Sequence, residues 1–121
     1  MTKHVKLGNR TIGEGEPCFI IAEVRLNHNG SFELAQQSIV AAAESGADAV
    51  KFQNFALEDF LTNKSLMYTY SSQGREITEP LWDICKRSEF KRDWIPALKS
   101  LCDDLGVLFL STPTSESGVK D

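Results

Sequence analysis

Three apolar runs of this chain each end in polar side chains whose types suit small-molecule chemistry. Cys18-Phe19-Ile20-Ile21-Ala22 leads into Glu23; Ala49-Val50 leads into Lys51, Phe52 and Gln53; Val107-Leu108-Phe109-Leu110 leads into Ser111 and Thr112. A lysine offers fixed positive charge to a phosphate or carboxylate, or an amine for a Schiff base. Ser111 and Thr112 supply hydroxyl donors of the kind phosphate oxygens accept. Gln53 can read a carboxylate or a hydroxyl, and Glu23 is a candidate general acid or base. Together they suit an anionic, hydroxylated small molecule. A plain Glu23–Lys51 ion pair is the competing reading of those two residues, and the convergence of three strand ends favours function.

These side chains meet only if the three runs are neighbouring parallel strands, and the intervening sequence supports that. The runs are continuously rather than alternately apolar, as in strands covered on both faces. Between the first two, Ser31 is a good N-cap, Glu33 sits in the first turn, Ala35, Ile39, Ala42 and Ala43 recur at helical spacing, and Gly46 closes the helix. Strand, helix, strand is a βαβ unit, which places the strand ends on one face. Lys51 and Gln53, two apart, share one side of their strand and Phe52 takes the other. Asn27-His28-Asn29-Gly30 falls in the first strand–helix loop; substrate contact and loop ordering are both open readings of it. No Cys or His pair has metal-ligand spacing, so no metal ligand is assigned within the chain.

Before the first strand, Val5-Lys6-Leu7 and Thr11-Ile12 flank a Gly8-Asn9-Arg10 turn, giving a hairpin cap over residues 1–17. Residues 54–77 are polar and read as irregular. Thr78 is expected to cap a short helix, with Pro80 in its first turn. Asp93 is expected to cap a second helix that carries Ile95, Leu98, Leu101, Cys102 and Leu105 in one stripe and stops at Gly106.

The 121 residues, 41% hydrophobic and 25% charged, exclude a disordered chain. A net charge of −4 argues against nucleic-acid binding, and the Lys86-Arg87 and Lys91-Arg92 stretch, interrupted by Glu89, reads as a solvated surface. No apolar run is long enough to span a membrane, and no secretory signal is evident. The odd set of Cys18, Cys85 and Cys102, in apolar patterns, reads as buried thiols of a reducing cytoplasm. Three parallel strands with crossovers begin a larger α/β sheet or barrel; a (β/α)8 barrel needs about 250 residues.

Four segments in order, Ile20-Ile21-Ala22-Glu23-Val24, Asn27-His28-Asn29-Gly30-Ser31, Gly46-Ala47-Asp48-Ala49-Val50-Lys51-Phe52-Gln53 and Phe109-Leu110-Ser111-Thr112-Pro113, resemble the sialic acid synthase (N-acetylneuraminate synthase) family. The resemblance implies an α/β (β/α)8 TIM barrel, of which residues 18–121 are the N-terminal portion with the first three strands, truncated there. It implies condensation of phosphoenolpyruvate with an N-acylated amino sugar such as N-acetylmannosamine, giving a nine-carbon 2-keto acid and phosphate. Glu23 then resembles the essential carboxylate, Lys51 and Thr112 the groups holding phosphoenolpyruvate, and Gln53 a substrate contact beside them. A divalent metal, manganese or magnesium, is implied for the full enzyme with ligands outside this chain, as is a homodimer. The family usually has glycine where this chain has Arg25, which adds bulk and charge at the rim of the site. The expectation is a cytoplasmic enzyme segment, inactive by itself. A Schiff-base aldolase using Lys51 and a non-catalytic binding partner are the alternatives.

Overall fold

A computed structural model describes residues 3–120, and they build an α/β unit around a parallel sheet of three strands. These are β3 (Ile21–Arg25), β4 (Ala49–Asn54) and β7 (Leu108–Pro113), in the order β3-β4-β7. The central strand β4 is the best buried: Ala49, Val50, Phe52 and Asn54 are all inside, as its apolar run requires. Both outer strands start later than the apolar runs suggest. Cys18, Phe19 and Ile20 precede β3, and Val107 precedes β7.

The helices lie on one face of this sheet. Helix α1 (Phe32–Glu44) starts where Ser31 Oγ accepts the Leu34 N–H at 3.2 Å, a cap worth about 1 kcal/mol. Ala35, Ile39 and Ala42, spaced four and three, form its buried stripe. Helix α4 (Ile95–Leu105) buries Leu98 and Cys102 and stops at Gly106, whose φ of +72° ends the helix in the left-handed conformation. A 3-10 turn over Arg92–Trp94 leads into α4, so Asp93 lies within that turn and makes no side-chain cap. The core joins Val24, Val50 and Phe52 of the sheet to Ile39, Leu98 and Cys102 of the helices, with Phe90 and Trp94 between. Burying a side chain of the size of Phe52 stabilises by about 1.5–3 kcal/mol.

Among the described residues the opposite face of the sheet carries no helix. Along β3, Ile21, Glu23 and Arg25 are exposed while Val24 is buried, so this run is covered on one side only. An N-terminal hairpin, β1 (Val5–Leu7) paired with β2 (Arg10–Ile12), sits at the strands' beginnings. Its Gly8 turn lies against the Leu108 side chain, close enough that a Cβ there would displace it. Arg10 pairs with Asp48, whose other carboxylate oxygen accepts the Ile20 N–H at 2.8 Å.

Residues 54–77 are more ordered than their polarity suggests. After a one-turn helix α2 (Leu57–Phe60), β5 (Met67–Ser72) and β6 (Arg75–Pro80) form an antiparallel hairpin. Gln73 and Gly74 both have positive φ, the signature of a type I′ turn. Thr78 is therefore a strand residue, its hydroxyl 2.8 Å from that of Thr69, and the helix α3 (Leu81–Arg87) begins after Pro80 without a side-chain cap. Cysteine burial also departs from the sequence reading. Cys102 is buried and Cys85 half-buried, but Cys18, outside the sheet, is exposed. Burial pushes the Cys85 thiol pKa up, and that of Cys102 up to about 11. No helix among the described residues is long and apolar enough to cross a membrane.

Candidate functional site

Pairing register brings four of the seven candidate residues to the helix-free face. Glu23 lies beside Lys51, and Gln53 beside Thr112, on adjacent parallel strands. Because β4 alternates, burial of Val50, Phe52 and Asn54 against the helices turns Lys51 and Gln53 the other way. Lys51 Nζ stands 2.7 Å from Glu23 Oε2, with the two side chains 33% and 38% exposed. A pair this open is worth at most about 1 kcal/mol. An incoming anion can therefore take Lys51 from Glu23 at small cost, leaving the carboxylate free to handle a proton.

Ser111 does not join them. It aligns with Phe52, on the helix side of β7, and its Oγ is buried without a hydrogen-bond partner. With Asn54, Ile95, Lys99 and Val119 it lines a separate cleft of about 310 Å³. The same two-residue alternation that separates Lys51 from Phe52 separates Thr112 from Ser111. A larger cleft of about 580 Å³, between Asp59, Arg92, Ser117 and Lys120, includes none of the candidates.

The first strand–helix loop divides its residues. Asn27 is exposed, its backbone N–H on the Val24 carbonyl at 3.0 Å. His28 is fully buried. Its ring packs against Phe52, Phe90 and Trp94, with centroids 6.3, 5.9 and 5.5 Å away. Nδ1 accepts the Gly30 N–H at 3.1 Å, so the neutral ring carries its proton on Nε2, which faces the aromatic cage without a polar partner. Burial holds the His28 pKa below its ordinary value, favouring that neutral ring. His28 therefore orders the loop from within the core and does not reach the open face. Gly30, at φ +72°, lies directly against the carbonyl oxygen of Arg87 at the end of α3. Arg25, at the rim of β3, has a φ of +49°, and a register shift between Glu23 and Arg25 marks a bulge there.

The sequence reading missed what braces this loop from the far side. Glu79 of β6 accepts both Arg87 guanidinium nitrogens, at 2.5 and 2.8 Å, and the Tyr70 hydroxyl at 2.7 Å. The Arg87 bonds, then that of Tyr70, hold the Glu79 carboxyl down to about 2. Lys86 pairs with Glu58 and Glu89, so the Lys86-Arg87 half of the basic stretch is held in ion pairs. Among the described residues no group of three His, Cys, Asp or Glu side chains is placed to hold a metal ion. The described residues thus do not fit a metal centre.

With this geometry in view, comparison with known proteins is decisive. A model of the NeuB family matches residues 38–121. The chain belongs to the NeuB family. It is 37% identical over 113 residues to the N,N'-diacetyllegionaminic acid synthase of Legionella pneumophila, covering 93% of this chain and 32% of that protein. It is 34% identical over 114 residues to the N-acetylneuraminate-9-phosphate synthase of Mus musculus, covering 92% of this chain and 31% of that one. A crystallographic N-acetylneuraminic acid synthetase from Leptospira borgpetersenii superposes with a TM-score of 0.80 at 32% identity, over 99% of this chain and 37% of its own. The NeuB chain described here thus spans about a third of the length of these relatives. The sialic acid synthase resemblance read from its four segments is established at the level of the family.

Proposed function

We propose that this NeuB-family chain supplies the first three strands of a (β/α)8 barrel that condenses phosphoenolpyruvate with an N-acylated amino sugar. N-acetylmannosamine or a close relative is the acceptor, the product is a nonulosonic acid, and phosphate leaves with C–O cleavage. The observation that carries this reading is the Glu23–Lys51 pair on the open face, with Gln53 and Thr112 in the adjoining row. In it, Lys51 exchanges Glu23 for the phosphate or carboxylate of phosphoenolpyruvate, Thr112 donates a hydrogen bond to the same group, and Gln53 orients it. Glu23, released from the pair, is then the group proposed to manage a proton near the attacked carbon. A divalent metal, manganese or magnesium, held by residues outside this chain, would polarise the sugar aldehyde as a Lewis acid. The whole enzyme is proposed to be a cytoplasmic homodimer.

The chain alone is proposed to be inactive, since three strands supply only part of such a site. Purified chain mixed with phosphoenolpyruvate, manganese and N-acetylmannosamine should release no phosphate; clear turnover would contradict this. A Schiff-base role for Lys51 is the alternative reading, and the family resemblance speaks against it. Borohydride in the presence of pyruvate should trap no adduct on Lys51, and a trapped adduct would revive the aldolase reading.

A further inference from the structure

The register of β3 on β4 decides whether Glu23 meets Lys51 at all. A slip of one residue would turn Glu23 to the helix side and bring Ala22 or Val24 beside Lys51. Burial does little to forbid such a slip. The run Cys18-Phe19-Ile20-Ile21-Ala22 is continuously apolar, so no alternation marks one of its faces. Within β3 only Val24 is buried, and among the described residues β4 is its single neighbour. The far end of the strand does not hold the alignment either, because the pairing shifts between Glu23 and Arg25.

The strand's beginning carries what its middle lacks. Asp48, the residue before β4, has its side chain 10% exposed and grips Ile20 at two points. Its Oδ2 accepts the Ile20 N–H at 2.8 Å, and its own N–H donates to the Ile20 carbonyl at 2.9 Å. Counting on from that contact sets Ile21 beside Ala49 and Glu23 beside Lys51. A carboxylate accepts any N–H, so the choice of Ile20 needs a second restraint. Arg10 supplies it: the guanidinium that pairs with Asp48 also lies over the Phe19 ring, 6.0 Å from its centroid. Phe19 is thereby held before the strand, and Ile20 offers the next N–H in line. The Asp48 carbonyl meanwhile accepts the Leu108 N–H at 3.0 Å, a backbone bond that a change of side chain leaves in place.

We infer that Asp48 is a positioning residue: it sets the register of β3 against β4 and so places Glu23 on Lys51, which lies three residues further along β4, about 10 Å away. What Glu23 then does rests on the proposed function; the register does not. The test is carbodiimide treatment of the folded 121-residue chain, which joins a carboxyl to an adjacent amine as an amide with loss of one water, followed by peptide mass mapping. The wild type should give a Glu23–Lys51 cross-link. D48A removes the acceptor. I20P removes the donor, leaves the Arg10–Asp48 pair and, because Ile20 is exposed, costs no core packing. Each should lose most of the cross-link. D48N keeps an oxygen for the Ile20 N–H, loses the charge facing Arg10, and should keep the cross-link. Ile39→Val, which weakens the core without touching Asp48, should keep it too. No cross-link in the wild type, a full one in D48A or I20P, its loss in D48N, or an equal loss in Ile39→Val overturns the inference. If the cross-links behave as stated but calorimetry finds no phosphoenolpyruvate binding by the wild type, the proposed function fails and the register assignment stands.

Discussion

Gly30 and the carbonyl of Arg87 are in such close contact that no side chain fits between them. This one approach joins the loop after β3 to the end of α3, and through Arg87 and Glu79 to the β5–β6 hairpin. The loop that follows Glu23 is thus held from two sides, by Arg87 outside and by the buried His28 ring inside.

Gly30 and Gly74 separate strain from contact. Both have φ near +70°, at +72° and +74°, but a Cβ on Gly74 meets nothing within 4 Å. Gly74→Ala is expected to cost about 1 kcal/mol, the backbone penalty alone. Gly30→Ala adds a collision with backbone and is expected to cost about 3 kcal/mol or more. Urea unfolding of both variants checks this; equal losses would mean the loop moves aside freely.

His28 makes stability depend on pH in a stated direction. Its folded pKa lies below its ordinary value because of burial, so on acidification below about 6.5 the unfolded chain binds a proton that the folded chain refuses. Stability should therefore fall as pH drops from 6.5 towards that lower folded value, and be flat above it. His28→Gln should flatten this slope. Unfolding free energies at pH 7.5 and 5.5, in both proteins, are the measurement, and an unchanged slope in the variant would assign the effect elsewhere.

The hairpin should be tied down by Glu79. Its carboxyl is held near 2 by Arg87 and Tyr70, so its contribution is complete above the ordinary carboxylate range and is lost as pH falls through about 2. A two-stranded hairpin is marginal by itself. Arg87→Leu is expected to raise hydrogen exchange across residues 67–80 at neutral pH while amides of β4 stay protected. Unchanged exchange in the hairpin would show that Leu66 and Leu81, whose backbones bond at 2.8 Å, suffice to hold it.

Much of this was legible in the residues. The βαβ core is written in apolar runs and in Ser31, and the Lys51–Gln53 spacing located one side of the site. What escaped has physical reasons. Strand β5 is exposed on nearly every residue, so alternation carries no burial signal there, and only Gln73-Gly74 marked the turn. His28 looked like a loop residue at the strand ends because Phe90 and Trp94, which enclose it, lie more than sixty positions away. Ser111 was grouped with Thr112 although adjacent strand residues point to opposite faces. Arg25 was visible as a departure from glycine, but its positive φ was not.

The central claim is that Lys51, paired with Glu23 on the open face, is where phosphoenolpyruvate binds. Its most direct test is calorimetric titration of phosphoenolpyruvate into the wild-type chain, Lys51→Ala and Ser111→Ala. The wild type and Ser111→Ala should bind alike, since Ser111 faces the other layer, and Lys51→Ala should lose about tenfold or more in affinity. Equal binding by Lys51→Ala and the wild type would contradict the account and leave Glu23–Lys51 a plain ion pair.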